Sequence, residues 1–122
     1  MNRFEPRDKT VFDHETGLEW EAEVSGPMTW AEAVTYAECI GNGWRLPTIE
    51  ELETLLNRGR ANPASSFPGM LSECFWTSAE YAGSASYAWY VNFFSGNVNR
   101  YGKTSTFYGR CVRGMDGGSE CR

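Results

Sequence analysis

The spacing of apolar residues changes along the chain from a helical period to a strand period. Apolar side chains recur every three or four residues in "MTWAEAVTYAECI" (28–40) and "IEELETLLN" (49–57), which predicts two amphipathic helices. Each segment has a threonine three residues before a glutamate, the pattern of a capping box: Thr29 with Glu32, and Thr48 with Glu51. Two consecutive helices are therefore expected before the chain changes to strands.

Short segments with an alternating pattern flank these helices. "TVFD" and "LEWEAE" lie on either side of "HETG", where Gly17 suits a turn, and they predict an N-terminal hairpin. After a loop rich in Pro, Gly and Ser (58–71), four more strands are expected in "CFWTSAEY", "YAWYVNFF", "NVNRY" and "FYGRCVRG". Two helices followed by a mostly antiparallel sheet indicate an α+β fold.

The strand within Ser86 to Gly114 has one regular face and one irregular face. Trp89, Val91 and Phe93 share the apolar face, which predicts core positions. The other face and the residues after it share no chemical type: Tyr90, Asn92, Phe94, Asn97, Asn99, Arg100 and Tyr101. Aromatic residues interspersed with small polar residues are typical of antibody-like binding surfaces. A plain exposed strand face also tolerates such variety, so the pattern alone leaves both interpretations open.

Composition narrows the possible functions. The 122 residues, 41% of them hydrophobic, suit a single domain (1–122) with a core of about 10–114 and a flexible tail at 115–122. A net charge of −5 without a basic run argues against a nucleic-acid partner. We find no membrane span and no signal peptide. No cofactor, metal site or catalytic set is expected, because the single histidine, His14, lies in a turn far from any cysteine.

Two other features invite a functional interpretation but favour a structural one. Arg45 in "WRLP" is expected to tie a carboxylate or loop carbonyls with its planar donors. Glu50, Glu51 and Glu53 lie at the start of the second helix, where negative charge complements the helix dipole. The four cysteines permit two disulfides in three pairings.

An ordered set of motifs resembles a known family over about Thr10 to Gly114. The motifs are "TGLEW", "TWAEAVTYAEC", "GWRLPTIEEL", "FWTSAEY", "AWYVNFFSG" and "RCVRG". They resemble the C-terminal domain family of bacterial collagen-like adhesins, which has a C-type-lectin-like fold. More narrowly, the chain resembles the variable proteins of diversity-generating retroelements, in which mutagenic reverse transcription changes codons at template adenines. The resemblance implies a C-type-lectin-like fold with two helices packed on a mostly antiparallel sheet.

The narrower resemblance divides the C-terminal segment into framework and variable positions. The framework matches are Trp89, Val91, Phe93, Gly96, Val98, Lys103, Cys111, Val112 and Arg113. Randomising both adenines of an Asn codon can yield Tyr, Phe, Ser, Thr, Arg, Gly, Asp or Asn without a stop codon. Eleven residues belong to that set and are the predicted ligand-binding positions: Tyr90, Phe94, Ser95, Asn97, Asn99, Arg100, Tyr101, Gly102, Ser105, Thr106 and Phe107. Arg100 is the candidate hot-spot cation among them.

The resemblance also implies disulfides and sets limits. Cys39 and Cys111 match positions that pair in C-type-lectin-like domains, and Cys74 with Cys121 could form a second bridge. The Ca²⁺-site motifs of sugar-binding C-type lectins, Glu-Pro-Asn and Trp-Asn-Asp, do not occur here. Formylglycine-generating enzymes share a related fold, but their reactive cysteine pair has no counterpart in this chain.

These observations predict a ligand-binding protein of the receptor or adhesion type rather than an enzyme. Its ligand surface would be a sequence-diversified face of the C-terminal strands and loops. The alternatives are an adhesin domain of fixed specificity and an enzyme related to formylglycine-generating enzymes. The expected partner is a protein or glycan, and the expected location is the surface of a cell or phage particle.

Overall fold

A computed structural model of the protein describes residues 3–114. That range contains nine strands: β1 (Phe4–Pro6), β2 (Thr10–Asp13), β3 (Leu18–Glu21), β4 (Ser25–Met28), β5 (Cys74–Glu80), β6 (Tyr87–Asn92), β7 (Val98–Gly102), β8 (Phe107–Gly109) and β9 (Val112–Gly114). It contains two helices: α1 (Trp30–Ile40) and α2 (Ile49–Glu53). None of these helices is long and apolar enough to cross a membrane.

The strands form two sheets instead of the one expected. The first has the order β1-β2-β3-β9 and the second the order β4-β8-β5-β6-β7. All pairs are antiparallel except β5 with β8. Two helices with two mostly antiparallel sheets confirm the α+β class.

The two sheets share a core with α2. The first sheet contributes Trp20 and Val112, and α2 contributes Leu52. The second sheet contributes Phe75, and Phe93 follows directly after β6. All five side chains are fully buried. This cluster covers one face of the second sheet, which we call the back face. The registered pair Phe75–Val91 also belongs to it.

Helix α1 covers part of the opposite face, which we call the front face. Ala33 and Ala37 of α1 pack with Trp76, Ala88 and Cys111 in a second buried cluster. The second sheet therefore has packed side chains on both faces near β5. Helix α1 therefore leaves the front face uncovered only near β6 and β7.

Both capping boxes are confirmed, although α2 is shorter than predicted. The Thr48 hydroxyl accepts from the Glu51 N–H at 3.1 Å, and the Glu51 carboxylate accepts from the Thr48 N–H at 2.9 Å. The chain then tightens, because the Leu55 N–H donates to the carbonyl of Leu52, three residues back, at 3.1 Å. Regular α-helix accordingly ends at Glu53, four residues before the predicted end.

The structural interpretation of Arg45 is confirmed. Its guanidinium binds the Glu51 carboxylate through two N–H groups, each 2.7 Å from an oxygen. Burial alone would raise the pKa of Glu51. The hydrogen bonds from Arg45 and Thr48 outweigh burial, so the pKa of Glu51 lies below its ordinary value. Arg45 therefore fixes the loop before α2 to the first turn of the helix.

The predicted last strand is divided between the two sheets. "FYGRCVRG" forms β8 in the second sheet and β9 in the first, with the buried Arg110 between them. The Arg110 guanidinium donates to the carbonyls of Glu21 and Ala22 at 2.6 and 2.8 Å and lies 4.5 Å from the ring centre of Phe67. Burial lowers the pKa of Arg110 to about 10, so it remains charged at neutral pH.

The segment before Thr10 contributes to the core, although no element was predicted there. Phe4 of β1 is buried. Arg3 donates to both carboxylate oxygens of Asp13 at 2.8 Å and to the Thr54 carbonyl at 2.9 Å. Burial alone would raise the pKa of Asp13. Hydrogen bonds from Arg3, the Glu15 N–H and the Thr16 hydroxyl outweigh that effect, so the pKa lies below its ordinary value.

The predicted tail at 115–122 lies outside the described residues.

Candidate ligand-binding surface

The turn between β6 and β7 holds its shape through a few specific groups. Gly96 adopts a φ of 89°, a region that disfavours residues with a Cβ atom. The Asn92 carbonyl accepts from the Gly96 N–H at 2.7 Å, and the Asn92 side-chain oxygen accepts from the Phe94 N–H at 2.8 Å. Arg58 donates to the Gly96 carbonyl at 2.9 Å. The turn therefore does not depend on the side chain of Phe94.

The predicted variable positions and the framework positions differ in exposure. Seven variable positions are exposed: Phe94, Ser95, Asn97, Asn99, Arg100, Tyr101 and Thr106. Four are partly buried: Tyr90, Gly102, Ser105 and Phe107. Among the framework residues, Val91, Phe93, Gly96, Cys111 and Val112 are buried, and Trp89, Val98, Lys103 and Arg113 are partly buried. No predicted variable residue is buried, and no framework residue is exposed.

Three of the variable positions form an aromatic cluster on the front face. The Phe107 ring lies 4.8 Å from the Tyr90 ring and 5.9 Å from the Tyr101 ring, measured between centroids. Beneath them, the buried Trp76 ring lies 4.8 Å from Phe107. Tyr101 is 52% exposed, and Asn99 lies beside the cluster, opposite Tyr90. This front aromatic cluster joins a solvent-exposed ring to the core.

Arg100 does not belong to this cluster. It pairs with Trp89 across β6 and β7, which places its side chain on the back face because successive strand residues point to opposite faces. Its guanidinium lies 4.5 Å from the centre of the Tyr81 ring, and Tyr81 lies 5.8 Å from Trp89. The expectation of a single variable face is therefore wrong. The predicted variable positions lie on both sides of β7 and in the adjoining loops.

Tyr81 and Tyr87 were not among the predicted site residues, yet Tyr81 contacts Arg100 and Tyr87 lies beside Tyr81. Tyr87 is 41% exposed, and its ring lies 6.3 Å from that of Tyr81. The short "AGSAS" connection between the predicted strands could have indicated this contact, because a tight turn brings its flanking residues together. Trp89 is a predicted core residue, but it is only partly buried. It lies on the back face beside Arg100 and Tyr81.

Fixed contacts also anchor the loop between β7 and β8. The Lys103 ammonium lies 2.6 Å from a Glu80 carboxylate oxygen and 4.5 Å from the centre of the Trp30 ring. The Ser105 N–H donates to the Gly102 carbonyl at 3.0 Å, which closes the turn after β7. The loop that contains Ser105 and Thr106 is thus attached at its base by a framework residue.

Tyr90 and Cys74, two titratable groups on the front face, are uncharged at physiological pH. Burial, followed by the neighbouring Cys74 and Tyr101, raises the pKa of Tyr90 above its ordinary value. Burial and the charge of Glu73 raise the pKa of Cys74 to about 11. This part of the surface offers aromatic rings, hydroxyls and amides, which suit contact with a neutral or amphipathic ligand surface.

The disulfide implied between Cys39 and Cys111 is not formed in the structure. Cys39, Cys74 and Cys111 are free thiols. Helix α1 buries Ala33 and Ala37 beside Cys111, whereas Cys39 lies about 200° around the helix from Ala37 and is exposed. The other suggested pairing involves Cys121, which lies outside the described residues.

Within residues 3–114, no three His, Cys, Asp or Glu side chains lie close enough together to hold a metal ion. His14 lies 2.8 Å from a Glu5 carboxylate oxygen and directly follows β2 of the first sheet, whereas β7 belongs to the second sheet. The side chains around β6 and β7 are mainly aromatic rings, hydroxyls and amides, together with the Arg100 guanidinium.

Comparison with known proteins agrees with this description. A search of curated proteins found no match. A family model described as the Lcl C-terminal domain matches residues 9–113. This is a C-type-lectin-like domain that occurs in the variable proteins of diversity-generating retroelements, and it is a binding-domain family rather than an enzyme family. The match confirms the predicted family, and the chain belongs to the Lcl C-terminal domain family.

Proposed function

We propose that the domain binds a protein or glycan through the β6–β7 hairpin and the β7–β8 loop, and that this surface is diversified by a retroelement. The observation behind this proposal is a difference in exposure: the eleven predicted variable positions are exposed or partly buried, whereas the framework positions are buried or partly buried. A diversified protein needs that division, because its fold must survive every change at the variable positions.

The exposed side chains support a binding role. Large apolar side chains exposed within residues 3–114 are Leu71, Tyr87, Phe94 and Tyr101. Three of these four belong to the β6–β7 hairpin or the turn within it. Tyr101 lies on the front face, Tyr87 on the back face and Phe94 in the turn, so every side of the hairpin offers an aromatic ring to a ligand. Tyrosine also gives a large amphipathic contact area at low cost in side-chain entropy.

The anchoring contacts support diversification. Gly96, Asn92 and Arg58 hold the hairpin turn, and Lys103 holds the next loop. Of these, Gly96 and Lys103 are framework residues, and Asn92 and Arg58 lie outside the predicted variable set. Backbone shape is therefore maintained by residues that the retroelement would leave unchanged.

The DNA that encodes the protein tests diversification directly. We expect a nearby near-copy of the segment coding for residues 86–114, adjacent to a reverse transcriptase gene. The two copies should differ mainly where the template has adenine, within codons of the eleven variable positions. Absence of such a copy would contradict diversification and would leave an adhesin domain of fixed specificity.

The binding role has a separate test on protein and glycan arrays. The wild-type domain is compared with Tyr101→Ala and with Leu71→Ala, a matched control that also removes an exposed apolar side chain but lies outside the proposed surface. We expect Tyr101→Ala to weaken the strongest interaction about tenfold or more, as is usual for a tyrosine hot spot. Equal binding by all three proteins would argue against this surface.

A further inference from the structure

Within residues 3–114, strand β7 is the outermost strand of the second sheet. It follows β6 in the order β4-β8-β5-β6-β7, and its three central residues, Asn99, Arg100 and Tyr101, are all exposed. An edge strand presents backbone N–H and C=O groups that can pair with another strand. The register of β7 against β6 shows which residues present them.

The ladder between β6 and β7 alternates in a known way. Two hydrogen bonds mark its ends: the Asn92 N–H donates to the Asn97 carbonyl, and the Lys103 N–H donates to the Ser86 carbonyl, each at 2.8 Å. Hydrogen-bonded pairs alternate with non-bonded pairs in an antiparallel ladder, so Asn99 and Tyr101 direct their backbone groups towards β6. Three residues direct theirs towards the open edge: Val98, Arg100 and Gly102.

Two other hydrogen bonds agree with this assignment. The Arg100 N–H is bound at 2.8 Å by the side-chain oxygen of the neighbouring Asn99 and not by β6. The Gly102 carbonyl accepts from the Ser105 N–H at 3.0 Å, also away from β6. The Asn99 side chain thus covers one edge donor, which protects the strand from unspecific pairing.

The position of the variable side chains gives this edge a function. Asn99 and Tyr101 lie on the front face and Arg100 lies on the back face, yet all three are exposed and belong to the predicted variable set. A ligand that covered one face would contact only alternate residues of β7. A strand added along the edge has alternating side chains of its own and contacts both faces.

We infer that an extended segment of a partner protein adds to β7 as a sixth strand of the second sheet. This inference rests on the proposed binding function and narrows the ligand to a peptide segment. Main-chain hydrogen bonds at Val98 and Gly102 would supply affinity, and the Arg100 N–H would join them once the Asn99 side chain releases it. The side chains of Asn99, Arg100 and Tyr101 would supply specificity.

Charge favours a foreign segment over a second copy of this chain. A two-fold pairing of β7 with itself that uses all three outward residues places Arg100 opposite Arg100 of the copy. Like charges directly opposite one another destabilise a strand pair, and each chain has a net charge of −5. The favoured segment has an Asp or Glu opposite Arg100, which satisfies the cation.

The first test uses linear dodecapeptides selected on the wild-type domain from a phage-displayed library. Val98→Pro removes an outward N–H without removing a hydrogen bond of the β6 ladder, whereas Val98→Ala retains that N–H and serves as the control. We expect Val98→Pro to weaken the selected peptides about tenfold and Val98→Ala to weaken them less than threefold. Thermal melting establishes that both variants are folded.

The second test modifies the backbone of the peptide. Single N-methyl groups are placed along a selected peptide, and the affinity of each derivative is measured. Strand addition predicts an alternating result, in which methylation at every second residue abolishes binding and methylation between them has little effect. Enrichment for Asp or Glu at one peptide position, lost on Arg100→Glu, would support the charge argument.

Three results would overturn strand addition: no peptide enriched over a control protein, equal affinity for Val98→Pro and wild type, or an N-methyl pattern without alternation. A β7-mediated dimer in sedimentation experiments, abolished by Val98→Pro, would also overturn it, because the edge would be occupied by a second copy. A ligand sensitive to Tyr101→Ala but not to Val98→Pro would reject strand addition and retain the proposed function.

Discussion

Two adjacent phenylalanines provide a sharp test of the division between framework and surface. Phe93 is fully buried, and its ring packs edge to face on Phe75 with 5.5 Å between centroids. Phe94, the next residue, is 56% exposed in the turn. The same substitution, Phe to Ala, therefore removes a core side chain at one position and a surface side chain at the other.

The expected energies follow from burial. A buried phenyl ring withdraws on the order of 150 Å² from water, which at about 25 cal/mol per Å² corresponds to about 4 kcal/mol. Phe93→Ala should therefore lower the free energy of unfolding by about 3–5 kcal/mol, the usual range for emptying a large aromatic from a core. Phe94→Ala should lower the free energy of unfolding by less than about 1 kcal/mol. The Phe94 side chain is mostly exposed in the folded protein, and the unfolded chain already buries part of the same apolar surface.

Equilibrium unfolding in urea, followed by tryptophan fluorescence, measures both values. We expect the midpoint for Phe93→Ala to fall sharply at an unchanged slope, which indicates altered stability without altered compactness. The midpoint for Phe94→Ala should remain close to that of the wild type. Comparable losses for the two variants would show that the turn is part of the core, and the assignment of the surface would be wrong.

Three further predictions concern other parts of the fold. Gly96→Ala should cost about 1–2 kcal/mol of unfolding free energy because of its positive φ, whereas Gly102→Ala, with no atom near the new Cβ, should change it by less than about 0.5 kcal/mol in the same urea assay. Asp13→Asn should lower stability by about 2 kcal/mol at pH 7, because it weakens hydrogen bonds to a buried carboxylate. The stability difference between wild type and Asp13→Asn should shrink as the pH falls through the lowered pKa of Asp13, because the wild-type carboxyl then also loses its charge. A stability difference that stays constant in urea titrations across this pH range would refute this. In a Cys121→Ser background, a maleimide should label Cys39 rapidly and the buried Cys111 only after denaturation, whereas mass spectrometry showing a Cys39–Cys111 bridge would contradict the free-thiol arrangement.

Local sequence signals predicted the elements that depend on local contacts. Thr29 and Thr48 marked both helix starts, because a capping box involves only four neighbouring residues. Gly17, with a φ of 77°, marked the N-terminal turn for the same reason. The exposure of Phe94 and Tyr101 followed from the pattern of framework residues around them.

Features that depend on distant partners were not predictable in this way. "FYGRCVRG" looks like one strand, but the carbonyls of Glu21 and Ala22 hold Arg110 at the point where the chain passes between sheets. β1 and β4 are short and lack a clear alternating pattern, so only their pairing with β2 and β8 defines them.

The candidate surface shows the same limit. Its residues were identified from the sequence, but their arrangement around β7 depends on register, which the sequence pattern alone does not give. The pairing of Arg100 with Trp89 places the cation on the back face, where it contacts Tyr81, and Tyr81 in turn lies beside Tyr87.

We expect the fold to tolerate change at the exposed predicted variable positions, and binding to depend on their side chains. This expectation is tested by a displayed library randomised at the seven exposed variable positions: Phe94, Ser95, Asn97, Asn99, Arg100, Tyr101 and Thr106. A matched library is randomised at the five buried framework positions: Val91, Phe93, Gly96, Cys111 and Val112. The measurement is the fraction of clones that resist protease, followed by selection of the resistant clones on unrelated target proteins. We predict that most clones of the first library stay folded and yield binders, while few clones of the second stay folded; equal folded fractions, or folded clones without binders, would contradict the account.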